Sequence, residues 1–241
     1  INAKKKFVIA HSLFTIEKFI RKRQLYSYIK NKPVYLLLGK YHKQKMSKLF
    51  NLYGTQIINY GLDKDFIKKE IDQIVDNKLS MFTSRPDRNL ELLINVWKKY
   101  VHSRDNKLKL YVTPINKNLE NYQIYNRHLL KKNDFIDQIV KSRTILLPGH
   151  KAELYCLAAS EAHELCVPIV TMGIGSLSER VIHNETGLIA KNISQFGDYI
   201  LDIFYDDKLW SSLRNNLLSK RGRKSWLNAS KDFLNIIQIN E

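Results

Sequence analysis

The chain has 241 residues, room for one large or two small domains, and 44% of them are apolar, an ordinary globular composition that supplies a packed core. No apolar run approaches the roughly 20 residues that span a bilayer, the opening Ile-Asn-Ala-Lys-Lys-Lys lacks the apolar segment of a signal peptide, and the two cysteines, Cys156 and Cys166, sit inside one apolar pattern. A disulfide framework and a membrane span are excluded, a cytoplasmic location is expected, and the net charge of +17 calls for a polyanionic partner: nucleic acid, an anionic membrane or a phosphorylated substrate.

In chain order, FVIAH (residues 7–11) reads as a short strand and residues 13–29 as a helix, with apolar Phe14, Phe19, Ile20 and Leu25. After Pro33, VYLLL is a buried strand, residues 40–53 suit a helix that Gly54 ends, and TQIINYG is a third strand. Residues 62–78 form a charged connector with a helix near 64–75. The alternation restarts with LSMFTS, a helix over 89–100, LKLYVT, a polar stretch of loop and helix to about Ile139, TILLP, a helix over 153–165, PIVTM, GLIA, and helices over 193–205 and 208–218. Strands alternating with helices predict a parallel sheet covered on both faces, which binds ligands at the carboxyl ends of its strands. The loops after Ser84, Pro148 and Met172 are therefore the candidate sites.

After TILLP come Gly149, His150 and Lys151, then a helix carrying Glu153 and Glu161. A helix start favours an anion through its unpaired N–H groups and dipole, and Lys151 adds a full charge. Eight helical residues rise roughly 12 Å, which suits a nucleotide sugar: one carboxylate for sugar hydroxyls, the other for ribose hydroxyls, the diphosphate between them.

The E-x7-E pattern of Glu153 and Glu161, followed by Ala162 and Pro168-Ile169-Val170, resembles the nucleotide-sugar-binding half of glycosyltransferase family 4, which has the GT-B fold. Gly175-Ser176-Leu177-Ser178-Glu179 stands where that family has its G-x-x-E loop, and Asn184-Glu185-Thr186-Gly187-Leu188 stands at its following turn. TSRPDRNLELLINVW resembles the family's first loop and helix, in which a basic residue, here Arg88, reaches the diphosphate. KSWLNASKDFLNII resembles the terminal helix that crosses back to the N-terminal domain. Four segments in the right order make the likeness specific.

The resemblance implies a Rossmann-like α/β donor domain over residues 78–225, a partial N-terminal α/β region with connector over 1–77, and a crossover helix over 226–241. It implies a retaining, metal-independent glycosyltransferase with Arg88, Lys151 and Glu153 in catalysis and Ser84, Gly149, His150, Leu154, Tyr155 and Glu161 binding the donor. The co-substrate would be a UDP- or GDP-sugar, with no cofactor, and the acceptor a glycan, lipid or protein. The family's glycine-rich first loop reads Thr83-Ser84-Arg85 here, and its glycine before Pro-Val is replaced by Cys166-Val167. The block before Lys78 is shorter than a whole Rossmann-like domain, so most of the acceptor side is expected to be missing. That shortness supports an alternative, a noncatalytic nucleotide-sugar-binding or interaction module. The basic clusters Lys4-Lys5-Lys6, Arg21-Lys22-Arg23 and Lys220-Arg221-Gly222-Arg223-Lys224 read as solvated faces, as a surface for an anionic membrane, or, with no nucleic-acid motif to support it, as a nucleic-acid patch.

Overall fold

The computed structural model describes residues 5–128 and 130–239, so Lys4 of the first basic cluster lies outside the described residues. The chain forms two compact units, one built from residues 5–61 and 224–239, the other from Leu62–Arg223.

The first unit holds three parallel strands in the order β1 (Phe7–Ile9), β2 (Val34–Leu37), β3 (Thr55–Ile57). Where apolar spacing predicts one helix over 13–29, two short ones stand, α1 (Ile16–Arg21) and α2 (Leu25–Asn31). Arg23 is the break: its φ is 54°, its N–H reaches the Ile20 carbonyl and the Gln24 N–H reaches the Phe19 carbonyl, a left-handed helix stop that periodicity does not reveal. The expected helix over 40–53 is likewise shortened to α3 (Lys40–Lys45), followed by a 3₁₀ turn at Lys48–Asn51. A cluster of rings, Phe14, Phe19, Tyr28, Tyr35 and Phe50, makes this unit's core.

The second unit is a six-stranded, wholly parallel sheet in the order β6-β5-β4-β7-β8-β9. Its strands are β4 (Asp76–Met81), β5 (Lys109–Val112), β6 (Ile124–Asn126), β7 (Ser142–Gly149), β8 (Ile169–Ile174) and β9 (Gly187–Ile189). Three-residue β6 lies in the polar stretch expected to be loop and helix, too short for an alternating pattern to show. Around the sheet run α4 (Lys64–Lys68), α5 (Leu90–Val96, continuing as a π-helical stretch Trp97–His102), α6 (Lys132–Lys141), α7 (Leu157–Glu164), α8 (Leu177–Arg180), α9 (Ile193–Tyr205) and α10 (Asp207–Ser219). The centre is β7, every residue of which is buried. Chain order reverses between β4 and β7, the topological switch point at which doubly wound sheets open a crevice. The last helix, α11 (Trp226–Ile239), belongs to the first unit. Residues 62–77 group with the second, because Phe66 enters its core, Arg214 donates to the Ile71 carbonyl at 2.7 Å and Arg221 to the Ile67 carbonyl at 3.2 Å. Among the described residues, no helix is long and apolar enough to cross a membrane.

Candidate functional site

At the switch point the loops after β4 and β7 face each other. The first ends in Asn89, which takes a left-handed conformation (φ 65°) at the start of α5 and donates through Nδ2 to the Gly149 carbonyl at 2.5 Å. One loop thereby pins the other. Arg88, mostly buried, points across: its Nε lies 3.2 Å from Glu153 Oε2, and its Nη1 lies 3.3 Å from His150 Nδ1 and 3.4 Å from Asp87 Oδ2.

The second loop is more irregular than the sequence implies. Gly149 has φ 92°, Glu153 N–H turns back to the His150 carbonyl at 2.9 Å, and Cys156, at φ 60°, sets the start of α7 at Leu157. The helix predicted over 153–165 therefore begins four residues late. Glu153 lies in the loop rather than in a first turn, and the 12 Å helical spacing from Glu153 to Glu161 does not apply. Instead Glu153 Oε1 accepts from the Cys156 N–H at 3.2 Å, so one carboxylate oxygen braces the loop while the other faces Arg88. The far wall is the loop after β8: Ser176 N–H reaches the Glu153 carbonyl at 2.9 Å, and Gly175 (φ 75°) passes so close that a Cβ there would run into the His150 carbonyl. His150 Nδ1 accepts the Ala152 N–H at 3.1 Å, which places the neutral ring's proton on Nε2.

Ser84, Arg88, Gly149, His150 and Glu153 thus line one depression, together with Leu147, Cys156 and Leu177. It leaves about 10 Å³ of free space, no more than a single water needs, because Arg88, His150 and Glu153 satisfy one another. Four other expected residues lie outside that lining. Lys151 is exposed; Leu154 and Tyr155 are buried, the Tyr155 ring carrying the Arg180 guanidinium 4.0 Å from its centroid. Glu161 is half-buried on α7, and burial, with Asp63 adding repulsion, pushes its carboxyl up to about 7. Burial, followed by Glu153 and Glu161, raises the Cys156 thiol to about 12, so it stays protonated. Among the described residues no group of three or more His, Cys, Asp or Glu could hold a metal ion.

Sequence reasoning did not single out Asn89, and it named Gly175 and Arg85 only as members of the loops they belong to, with no role of their own. Asn89 and Gly175 act through backbone geometry that only the fold creates. Arg85 pairs bidentately with Asp87 (3.1 and 2.6 Å), which, with a smaller contribution from Glu153, raises its pKa, and it is exposed beside the depression. The C-terminal basic cluster is not a simple solvated face: Lys220 pairs with Glu185, Arg221 and the N–H groups of Gly222 and Arg223 surround the buried Glu164 carboxylate, and Lys224 pairs with Asp232.

No known protein family matches the sequence, and no curated protein matches it. Solved structures do. TarM of S. aureus superposes with a TM-score of 0.74 at 19% identity, over 97% of this chain and 51% of its own. Anabaena HepE in complex with UDP and glucose gives 0.70 at 12%, over 97% and 71%. The pneumococcal O-GlcNAc transferase GtfA in complex with UDP and GlcNAc gives 0.70 at 12%, over 97% and 52%. The fold is the GT-B glycosyltransferase fold. The chain spans about half the length of TarM and GtfA.

Proposed function

We propose that the chain is the donor-binding part of a retaining, metal-independent glycosyltransferase of the family 4 type, using a UDP- or GDP-sugar and a glycan, lipid or protein acceptor. The observation that carries this reading is the convergence of Arg88, His150 and Glu153 from two strand ends at the switch point of the sheet. HepE and GtfA, which share the fold, were solved with UDP and a sugar, which supports the substrate class.

The chemistry follows from charge. As the bond from sugar to diphosphate breaks, negative charge grows on the leaving phosphate; Arg88 and the His150 Nε2–H would stabilise it more than the ground state, in a partly dry site where such interactions are strong. Lys151, exposed on the same loop, adds to the field. Once a phosphate takes over Arg88, the Glu153 carboxylate oxygen it held becomes available to sugar hydroxyls, while Glu161 receives the ribose. In a retaining reaction the acceptor attacks the face the diphosphate leaves, and the departing phosphate takes the acceptor proton. The guanidinium and imidazole take the place of a divalent ion as charge stabilisers.

A thermal-shift screen of nucleoside diphosphates and their sugars tests the reading, since a specific ligand stabilises the fold as RT ln(1 + [L]/Kd). UDP or GDP should raise the Tm, and Arg88→Ala should abolish the rise. No response to any diphosphate sinks the donor site. Binding without donor hydrolysis or transfer would instead leave a noncatalytic nucleotide-sugar module.

A further inference from the structure

We infer that the first unit carries a separate binding site for an amphipathic phosphate. Between β1 and helices α1 and α2 lies a cavity of about 480 Å³, within the range of small-molecule pockets. Its wall is aromatic: Phe14, Phe19, Tyr28 and Tyr35 meet edge-to-face or stacked, with Phe14 and Tyr35 centroids 4.8 Å apart. Lys6, Lys18 and Lys22 also line it, and no acidic side chain does. Among the described residues no ion pair neutralises these lysines. Lys6 Nζ donates to Asn31 Oδ1 at 2.6 Å and Lys18 Nζ to Ser12 Oγ at 2.9 Å, both uncharged acceptors, and Lys22 is exposed.

Folding brings Lys6 of the first basic cluster and Lys22 of the second together with Lys18 around one apolar space. Three lysines and four aromatic rings lining one cavity favour a ligand with a dianionic head and an apolar body: the head exchanges neutral hydrogen-bond partners for charge-assisted ones, and the body covers the rings. A phosphate bearing an alkyl or prenyl chain has that chemistry. A sugar or inorganic phosphate has only half of it. The ligand's source is either a free amphiphile or a lipid headgroup in a membrane.

Titration calorimetry of the whole chain with monomeric dihexanoyl phosphatidic acid tests the site. Binding should be at least about tenfold tighter than to dihexanoyl phosphatidylcholine or to inorganic phosphate. The double variant Lys18→Gln/Lys22→Gln, altered at positions outside the apolar core, should lose about tenfold in affinity for phosphatidic acid. Ser27→Phe, which fills the cavity but keeps the lysines, should lose the preference for the acyl chains while keeping weak phosphate binding. Sedimentation with vesicles of phosphatidylcholine and phosphatidic acid in equal parts, but not of phosphatidylcholine alone, assigns the ligand to a membrane; binding only to the monomeric lipid assigns it to a free amphiphile. Equal affinity for phosphatidic acid and inorganic phosphate, or an unchanged double variant, overturns the proposal.

Discussion

On the proposed reading Glu153 has two jobs that pull in opposite directions. In the free protein it is the counter-ion of Arg88 at 3.2 Å, and with a donor bound it would face the sugar. Glu153→Gln is therefore expected to bind bare UDP about threefold more tightly, since a partly exposed pair is worth up to about 1 kcal/mol, and to lose the extra affinity that the sugar adds. Calorimetry with UDP and its sugars reads both effects; parallel changes for the two ligands would falsify the dual role. Glu161 makes the second residue-scale prediction. Its carboxyl stays protonated in the fold up to about 7, whereas the unfolded chain releases that proton near the ordinary carboxylate value. Between those values the native state binds more protons, so stability falls as pH rises, and the loss is complete above about 7. Glu161→Gln should then stabilise the second unit by on the order of 1–3 kcal/mol at about pH 8 and leave it unchanged at about pH 4. If the ionised carboxylate receives ribose hydroxyls, nucleotide affinity in the parent chain should rise through neutral pH and that rise should vanish in the variant.

At the scale of elements, the site depends on three loops that hold one another. Asn89 ties the loop after β4 to Gly149, and Gly175 lets the loop after β8 press against His150 and Glu153. Gly175→Ala combines a left-handed φ of 75° with a clash against a backbone carbonyl that cannot move aside. The left-handed strain alone costs about 1–2 kcal/mol, so a loss of at least about 2 kcal/mol is expected, with nucleotide binding lost alongside. Urea unfolding and a UDP titration of the variant check this, and a variant as stable as the parent would show that the loops are not coupled. The end of α7 repeats the pattern. Cys166 takes φ 56°, with its N–H on the His163 carbonyl and the Val167 N–H on the Ala162 carbonyl, so a cysteine occupies the left-handed stop that glycine adopts without strain. Burial of the Cys166 side chain offsets part of that cost.

For the whole molecule, the charge of +17 is distributed unevenly in its consequences. The Lys220–Lys224 segment is largely consumed by internal pairs, Arg88 is held by Glu153, and Lys6 and Lys18 at the first unit's cavity face neutral partners. Donor binding should weaken as salt rises, because the attraction is partly screened over about 10 Å at 0.1 M. A chelator should not change it. Measuring UDP affinity with and without a chelator checks the metal-independent reading, and a large loss on chelation would reject it.

The sequence by itself determined the class of fold: continuous apolar runs such as TILLP and PIVTM, separated by helical periods, commit the chain to a parallel sheet with both faces covered. It also marked the strand ends after which Arg88, His150 and Glu153 follow, because hydrophobic pattern and turn residues are local signals. What only the tertiary structure decided rests on contacts between distant residues. Left-handed turns at Arg23 and Cys156 cut helices that periodicity extends, since each conformation is fixed by hydrogen bonds and packing around it. The pairing of Arg88 with Glu153, the raised carboxyl of Glu161 and the gathering of Lys6, Lys18 and Lys22 around aromatic rings arise from burial and proximity, which no single stretch of sequence contains.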